Sequence, residues 1–152
     1  MIVGIICALA VAGLDQLTKF LVYGTASRSI IDNLLWFEST LNTGVAFSMF
    51  SGKSIVFFVI ACIASCLLIY LIASKKWLTG KIEKISMGLI LGGTISNAID
   101  RLIFGGVRDF IYLKFINFAI FNIADMAITI GAILLCVGII FIKEKEDDRT
   151  QL

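Results

Sequence analysis

Four long apolar runs dominate the pattern of hydrophobic and polar positions, at residues 2–23, 54–74, 85–104 and 122–142. Each run is close to the ~20 residues that an α-helix needs to cross about 30 Å of hydrocarbon. The pattern predicts a polytopic α-helical membrane protein whose four transmembrane helices form a single membrane domain over residues 1–152. The first run lacks the basic segment that begins a secretory signal peptide, so we expect it to remain as a helix.

The segments between the runs predict a small β-sheet on the outer membrane surface, at about residues 27–50. Two short stretches there, "LLWFEST" and "VAFSMF", flank an Asn-Thr-Gly turn at residues 42–44. This arrangement is typical of two strands joined by a turn. The later connection, "GGVRDFIYLKFINFAI", is rich in aromatic residues, and we expect it to lie in the membrane interface.

The distribution of basic residues predicts the orientation of the helices. Positive charge is concentrated between the second and third runs and after the fourth, at Lys75, Lys76, Lys81, Lys84, Lys143, Lys145 and Arg149. Cytoplasmic segments of membrane proteins carry an excess of lysine and arginine. Both of these segments, and therefore both termini, are predicted to be cytoplasmic.

Composition excludes several classes of function. Hydrophobic residues make up 59% of the chain and charged residues 16%, which is too apolar for a soluble domain of 152 residues. The net charge of +2 is small and not arranged as a patch, so nucleic-acid binding is not expected. The chain has no histidine, which excludes an imidazole base and a histidine-ligated metal. We expect no metal and no cofactor.

Two carboxylates in the predicted helices are candidates for catalysis. With a rise of ~1.5 Å per residue, Asp100 lies about 23 Å from the start of the third run, and Asp125 lies about 26 Å from the end of the fourth. Because consecutive spans are antiparallel, the two side chains are predicted to have a similar depth near the outer surface. Neighbouring helices 8–10 Å apart allow such side chains to approach each other.

An asparagine precedes each of these aspartates by three residues, as Asn97 before Asp100 and Asn122 before Asp125. Residues at this spacing are neighbours on a helix, so each amide can orient a carboxylate or a water molecule. Two carboxylates in close contact share a proton. The ionised member can then activate water while the protonated member hydrogen-bonds a carbonyl group. This pattern favours hydrolysis of a peptide bond without a covalent intermediate.

Other interpretations of the polar residues remain open. Asp100 can pair with Arg101 and simply hold the bundle together, as in a non-catalytic membrane scaffold. Intramembrane aspartates also occur in proton-coupled transporters and channels. A Ser-Lys dyad is disfavoured because no serine is obviously placed beside Lys19, the lysine in the first run. Asp15 and Lys19 lie four residues apart on one helical face, which favours a structural ion pair.

The ordered motifs "DQLTK", "NTGVAF", "SNAIDR", "GGVRDF" and "FNIADMAITIG", from Asp15 to Gly131, resemble those of lipoprotein signal peptidase, or signal peptidase II. The resemblance implies a bacterial inner-membrane aspartyl peptidase with four spans and a cradle-like sheet, whose active site is toward the outer face. Its implied substrate is a prolipoprotein, cleaved just before a cysteine that carries diacylglycerol. Membrane lipid and an inhibitor of the globomycin type are further implied partners, and the inhibitor is expected in the same cleft.

The resemblance also implies roles for individual residues. The catalytic dyad is Asp100 and Asp125; the residues that position it or contact the substrate are Asn42, Gly44, Asn97, Arg101 and Asn122; the supporting residues are Asp15, Lys19 and Asp109. One departure from the family pattern is Ser96, where the family usually has glycine. Because serine is small, we expect close helix packing to survive there.

Overall fold

Four helices account for most of the computed structural model, which describes residues 1–45, 49–74 and 80–142. The helices are α1 (Ile2–Val22), α2 (Ser54–Ala73), α3 (Lys81–Phe104) and α4 (Ile123–Val137), and α4 continues into a π-helical turn at Gly138–Ile142. Each is long and apolar enough to cross a membrane when α4 is extended to Ile140. The predicted four-helix membrane fold is therefore confirmed.

The basic residues that predict orientation fall partly within the structure. Lys81 and Lys84 lie in the first turn of α3, which begins four residues earlier than predicted. The other five lie outside the described residues: Lys75, Lys76, Lys143, Lys145 and Arg149.

The third helix is the centre of the bundle. Half of its membrane-spanning window is buried, against 17% of the windows of α1 and α2. Glycines allow this close packing, since a Cβ atom at Gly92 would lie 2.5 Å from the carbonyl oxygen of Ala8 on α1. A Cβ at Gly131 of α4 would lie 2.7 Å from the carbonyl oxygen of Ser86 on α3. Membrane helices commonly associate through small residues in this way, because the hydrophobic effect contributes little to helix association within lipid.

A three-stranded antiparallel sheet lies at the end of the bundle where α1 and α3 finish and where α2 and α4 begin. Its strands are β1 (Arg28–Ile31), β2 (Leu35–Asn42) and β3 (Val107–Leu113), in the order β1-β2-β3. A small sheet was predicted, and β2 corresponds to the predicted stretch "LLWFEST".

The predicted partner of β2 is wrong. The strand pairs with β1 and with β3, which forms part of the aromatic connection expected in the interface. Of the predicted strand at residues 45–50, residues 46–48 lie outside the described part of the chain, and the Val45 N–H donates to the Met49 carbonyl oxygen. Pairing between β2 and β3 joins residues more than 60 positions apart, which no local turn signal can reveal.

The connection from α3 to β3 is tight. Gly105 ends α3 in the left-handed conformation, with φ of 69°, which glycine adopts without the steric cost of a side chain. The chain therefore turns from the helix into β3 within two residues. As a result, the first residues of β3 lie against the last turns of α3, and the register pairs Asp109 with Thr40 of β2.

Candidate active site

A cavity of about 420 Å³ lies between α2, α3, α4 and the sheet. Among the described residues it is lined by two carboxylates, those of Asp109 on β3 and Asp125 on α4. The other polar lining residues are Asn42, Thr94, Asn97, Arg101 and Thr129, and the apolar ones are Val45, Ala61, Val107, Phe118, Ala119, Ile120, Phe121 and Ile128. A largely apolar cavity with a few convergent polar groups has the usual composition of a binding or active site.

The first turn of α4 positions Asp125. Asn122 caps the helix, since its Oδ1 accepts a hydrogen bond from the Asp125 N–H at 2.9 Å, and Asp125 Oδ2 accepts one from the Asn122 N–H at 3.3 Å. This reciprocal arrangement is a capping box. Asp125 Oδ1 accepts a further bond from Asn97 Nδ2 of α3 at 2.8 Å. Both asparagines predicted to orient a carboxylate therefore contact Asp125.

Asp109 is held by two other amide groups. Its Oδ1 accepts a hydrogen bond from Asn122 Nδ2 at 2.6 Å, and its Oδ2 accepts one from Asn42 Nδ2 at 3.1 Å. Only 2% of the residue is exposed. Burial raises the pKa of Asp109 to about 7, and the negative charge of Asp125 acts in the same direction, against the hydrogen bonds from the two amides. Asn122 thus contacts both carboxylates of the cavity.

The structure corrects the predicted approach of Asp100 to Asp125. Asp100 is fully buried and does not line the cavity. It forms ion pairs with Arg108 at 2.8 Å and with Lys19 at 3.2 Å, and it accepts a hydrogen bond from Gln16 Nε2 at 2.8 Å. The predicted depth along α3 does not fix the direction of a side chain around the helix. Asp100 points toward α1, and Asp109, expected only as support, lines the cavity with Asp125.

The ion pair predicted within the first helix is present, and it contacts a residue that lines the cavity. Lys19 Nζ lies 2.7 Å from Asp15 Oδ2, with both side chains fully buried. The same ammonium donates to Asn97 Oδ1 at 2.9 Å, which leaves the Asn97 NH₂ group to donate to Asp125. Ser96 is accommodated as expected, since its hydroxyl donates to Asp15 Oδ2 at 2.6 Å.

The residues expected to contact a substrate also surround the cavity. Arg101 donates to the carbonyl oxygens of Asn97 at 3.3 Å and Gly44 at 3.4 Å. Its Nε is buried without a hydrogen-bond partner among the described residues, so it retains a donor. The Gly44 N–H donates to Asn42 Oδ1 at 3.0 Å, which turns the Asn42 amide toward Asp109.

Two residues of this region were missed in the sequence. Gln16 and Arg108 are linked by a 2.7 Å hydrogen bond and both bind Asp100. Each stands next to an aspartate within a quoted motif, Gln16 after Asp15 and Arg108 before Asp109. Their position next to these aspartates is the feature of the sequence that could have identified them.

A family model described as Signal peptidase (SPase) II matches residues 7–141 of the chain. The lipoprotein signal peptidase of Shouchella clausii is 41% identical over 150 residues, which cover 96% of this chain and 98% of that protein. That of Lactobacillus johnsonii is 40% identical over 146 residues, which cover 93% and 94% of the two chains. A solved structure of a bacterial membrane enzyme matches with a TM-score of 0.82 and 33% identity, over 95% of this chain and 90% of that one. The chain therefore belongs to the signal peptidase II family of peptidases.

Proposed function

We propose that this protein removes the signal peptide from diacylglyceryl-modified prolipoproteins, cleaving just before the lipidated cysteine with an aspartate dyad of Asp109 and Asp125. The observation that carries the dyad assignment is the shared cavity, in which the described residues that hydrogen-bond to the two carboxylates do so through neutral amide and backbone N–H groups. Neither forms an ion pair within the described residues, whereas Asp100 forms two. A carboxylate that is paired with two cations is a poor proton acceptor, and one without a cation can exchange protons near neutral pH.

The proposed reaction uses one shared proton. A water molecule attacks the scissile carbonyl carbon and gives a proton to ionised Asp125, while Asp109 gives its proton to the carbonyl oxygen. In the second step Asp109 takes a proton back from a hydroxyl of the tetrahedral intermediate. Asp125 gives its proton to the leaving nitrogen, and the C–N bond breaks. The products are a carboxylic acid and an amine, and the dyad returns to its starting protonation state.

The surroundings of the dyad suit a substrate anchored in lipid. α2 packs against α3 but hardly touches α4. The proposed entry for the substrate is therefore a side opening between α2 and α4, beside Ala61. A substrate with diacylglycerol on its cysteine can reach the dyad through such an opening without leaving the membrane. The guanidinium group of Arg101, which lines the cavity, would bind a substrate carbonyl or a lipid phosphate. An inhibitor of the globomycin type would occupy the same cavity.

The proposed location is the bacterial inner membrane, with both termini in the cytoplasm and the cavity near the outer face. The support for this orientation is the excess of lysine and arginine in the segments predicted to be cytoplasmic. The sheet and the cavity lie at the opposite end of the bundle from these segments.

The proposal is tested by incubating the purified protein, in lipid, with a diacylglyceryl-modified precursor and with the same precursor unmodified. We expect cleavage of the modified precursor before its cysteine, measured by mass spectrometry of the products, and no cleavage by Asp125→Asn. Asp32→Asn is a matched control, because Asp32 is an exposed residue after β1, and it should cleave as the unaltered protein does. An intact modified precursor, or full activity of Asp125→Asn, would overturn the proposal.

A further inference from the structure

The residue beside the proposed catalytic Asp109 points to the other face of its strand. Successive side chains of a strand alternate between faces. Val107 and Asp109 line the cavity, and Arg108 points away from it, toward α1 and α3. Arg108 is nevertheless 94% buried, since only 6% of the residue is exposed. A constraint on Arg108 at one face of β3 therefore also constrains where Asp109 points at the other.

Asp100 holds both the backbone and the side chain of Arg108. Its Oδ2 accepts from the Arg108 backbone N–H at 2.9 Å and from Nε at 3.3 Å, and its Oδ1 accepts from a terminal guanidinium nitrogen at 2.8 Å. The Gln16 side chain bridges the pair, accepting from the guanidinium at 2.7 Å and donating to Asp100 at 2.8 Å. The guanidinium carbon also lies 4.2 Å from the centre of the Phe104 ring. These contacts fix the start of β3 against α3.

The same pair balances charge next to the cavity. Two carboxylates, Asp15 and Asp100, and two cations, Lys19 and Arg108, are buried together. Lys19 Nζ lies 2.7 Å from Asp15 and 2.9 Å from Asn97 Oδ1, but 3.2 Å from Asp100, which has Arg108 as its nearer cation. Without Arg108, Lys19 would be the one described residue left in an ion pair with these two buried carboxylates. It would be drawn toward Asp100 and away from the Asn97 amide.

We propose that Arg108 is a positioning residue for the peptidase reaction, acting through Asp100 and Lys19 rather than on the substrate. The hydrogen bonds of its guanidinium group to Asp100 set the direction in which Asp109 points. Its positive charge leaves Lys19 free to orient Asn97 toward Asp125. The inference rests on the proposed dyad of Asp109 and Asp125. Small displacements of a catalytic group cost rate more than substrate affinity when the binding residues are untouched.

The test compares kcat and KM for cleavage of a diacylglyceryl-modified precursor, per folded molecule. Arg108→Met removes the charge and keeps the length, and we expect kcat to fall by about tenfold to hundredfold with KM within about twofold of its original value. Arg108→Lys keeps the charge but loses the paired guanidinium hydrogen bonds to Asp100. Its kcat should lie between those of the unaltered protein and of Arg108→Met. The double variant Arg108→Met, Asp100→Asn removes one charge of each sign, so its kcat should exceed that of Arg108→Met by about threefold or more.

Two further variants separate the possible failures. Arg28→Met is the matched control, because Arg28 is an exposed arginine of β1, and its kcat should not change. If Asp109→Asn is inactive, either of two results refutes the role of Arg108 and leaves the proposed dyad in place. One is that Arg108→Met keeps a kcat within twofold of the original. The other is that the double variant is no faster than Arg108→Met. If Asp109→Asn cleaves at the original rate, the proposed dyad is refuted, and the role of Arg108 with it.

Discussion

At the scale of single residues, three aspartates within one molecule have different surroundings. Asp100 is balanced by two cations, whereas Asp109 and Asp125 meet amide groups at a shared cavity. A buried carboxylate without a cation favours its protonated form, and a second carboxylate nearby strengthens that preference. All three residues are aspartates, so the environment of each carboxylate distinguishes the candidate acid and base, Asp109 and Asp125, from the structural carboxylate of Asp100.

The raised pKa of Asp109 predicts how cleavage depends on pH. Because its pKa is about 7, Asp109 holds a proton below that pH and loses it above, so the carbonyl oxygen then has no acid to receive a proton from. We expect kcat to fall as the pH rises through about 7, and to fall again at acid pH where Asp125 can no longer accept a proton. Initial rates at saturating substrate, measured from pH 4 to 10 in one lipid composition, provide the check, using a wide range of buffers at constant ionic strength. A flat profile would contradict shared-proton chemistry.

The candidate site was predictable from the sequence only in part. Asn97 was predicted to position Asp100 and Asn122 to position Asp125, whereas in the structure both asparagines contact Asp125. Helical rise predicts depth along two helices but not the rotation of α3, which depends on packing against α1. Asp109 reaches the cavity through the pairing of β3 with β2, and that contact is distant in the sequence.

At the scale of secondary-structure elements, the approach of α3 to α4 determines the geometry of the cavity. Asn97 of α3 must lie within hydrogen-bond distance of Asp125, which is in the first turn of α4. Gly93 stands one turn before Asn97 and faces the backbone of Ala124 on α4. The helices were predictable because long apolar runs are unambiguous in a membrane protein, whereas this close contact depends on which side of α3 each glycine occupies.

Gly93→Ala is expected to destabilise the bundle and slow cleavage. The new Cβ would contact the Ala124 carbonyl oxygen and lie 2.8 Å from Ile128 Cγ1, so α4 must move away from α3. Overpacking of this kind costs about 1–3 kcal/mol of unfolding free energy. Thermal unfolding in lipid, with cleavage rates measured on the same samples, tests the expectation.

Gly13→Ala is the matched control for this substitution. It is also a change from glycine to alanine within a helix, and nothing lies within 4 Å of the new Cβ. It should leave stability unchanged or raise it by up to about 1 kcal/mol, because alanine favours the helix. Equal destabilisation by both substitutions would show that the contact at Gly93 has no special importance.

At the scale of the whole molecule, polar groups are concentrated where the helices meet the sheet. The four buried charges of Asp15, Lys19, Asp100 and Arg108 lie beside the cavity, and most of the remaining helix surface is apolar and exposed to lipid. The proposed opening between α2 and α4 would connect this polar region with the bilayer. Such an arrangement suits an enzyme whose substrate remains in the membrane.

Two neighbouring residues of α2 test the proposed side opening. Ala61 is buried at the cavity, whereas Cys62 is exposed on the lipid side of the helix. Ala61→Phe should lower kcat/KM for the lipidated precursor by about tenfold or more, because the ring would occupy the passage to the dyad. Cys62→Phe adds a ring of the same size to the lipid face and should leave kcat/KM within about twofold. Equal effects of the two substitutions would argue against a passage beside α2.

The central claim is that the cavity dyad consists of Asp109 and Asp125, and that Asp100 supports it from outside. The most direct measurement is the single-turnover rate of cleavage of a diacylglyceryl-modified precursor by Asp109→Asn and by Asp100→Asn, each corrected for its folded fraction. We predict that Asp109→Asn falls to the background rate, while folded Asp100→Asn still cleaves, at a rate reduced by up to about hundredfold. Cleavage by Asp109→Asn at the original rate, together with an inactive but folded Asp100→Asn, would contradict the account.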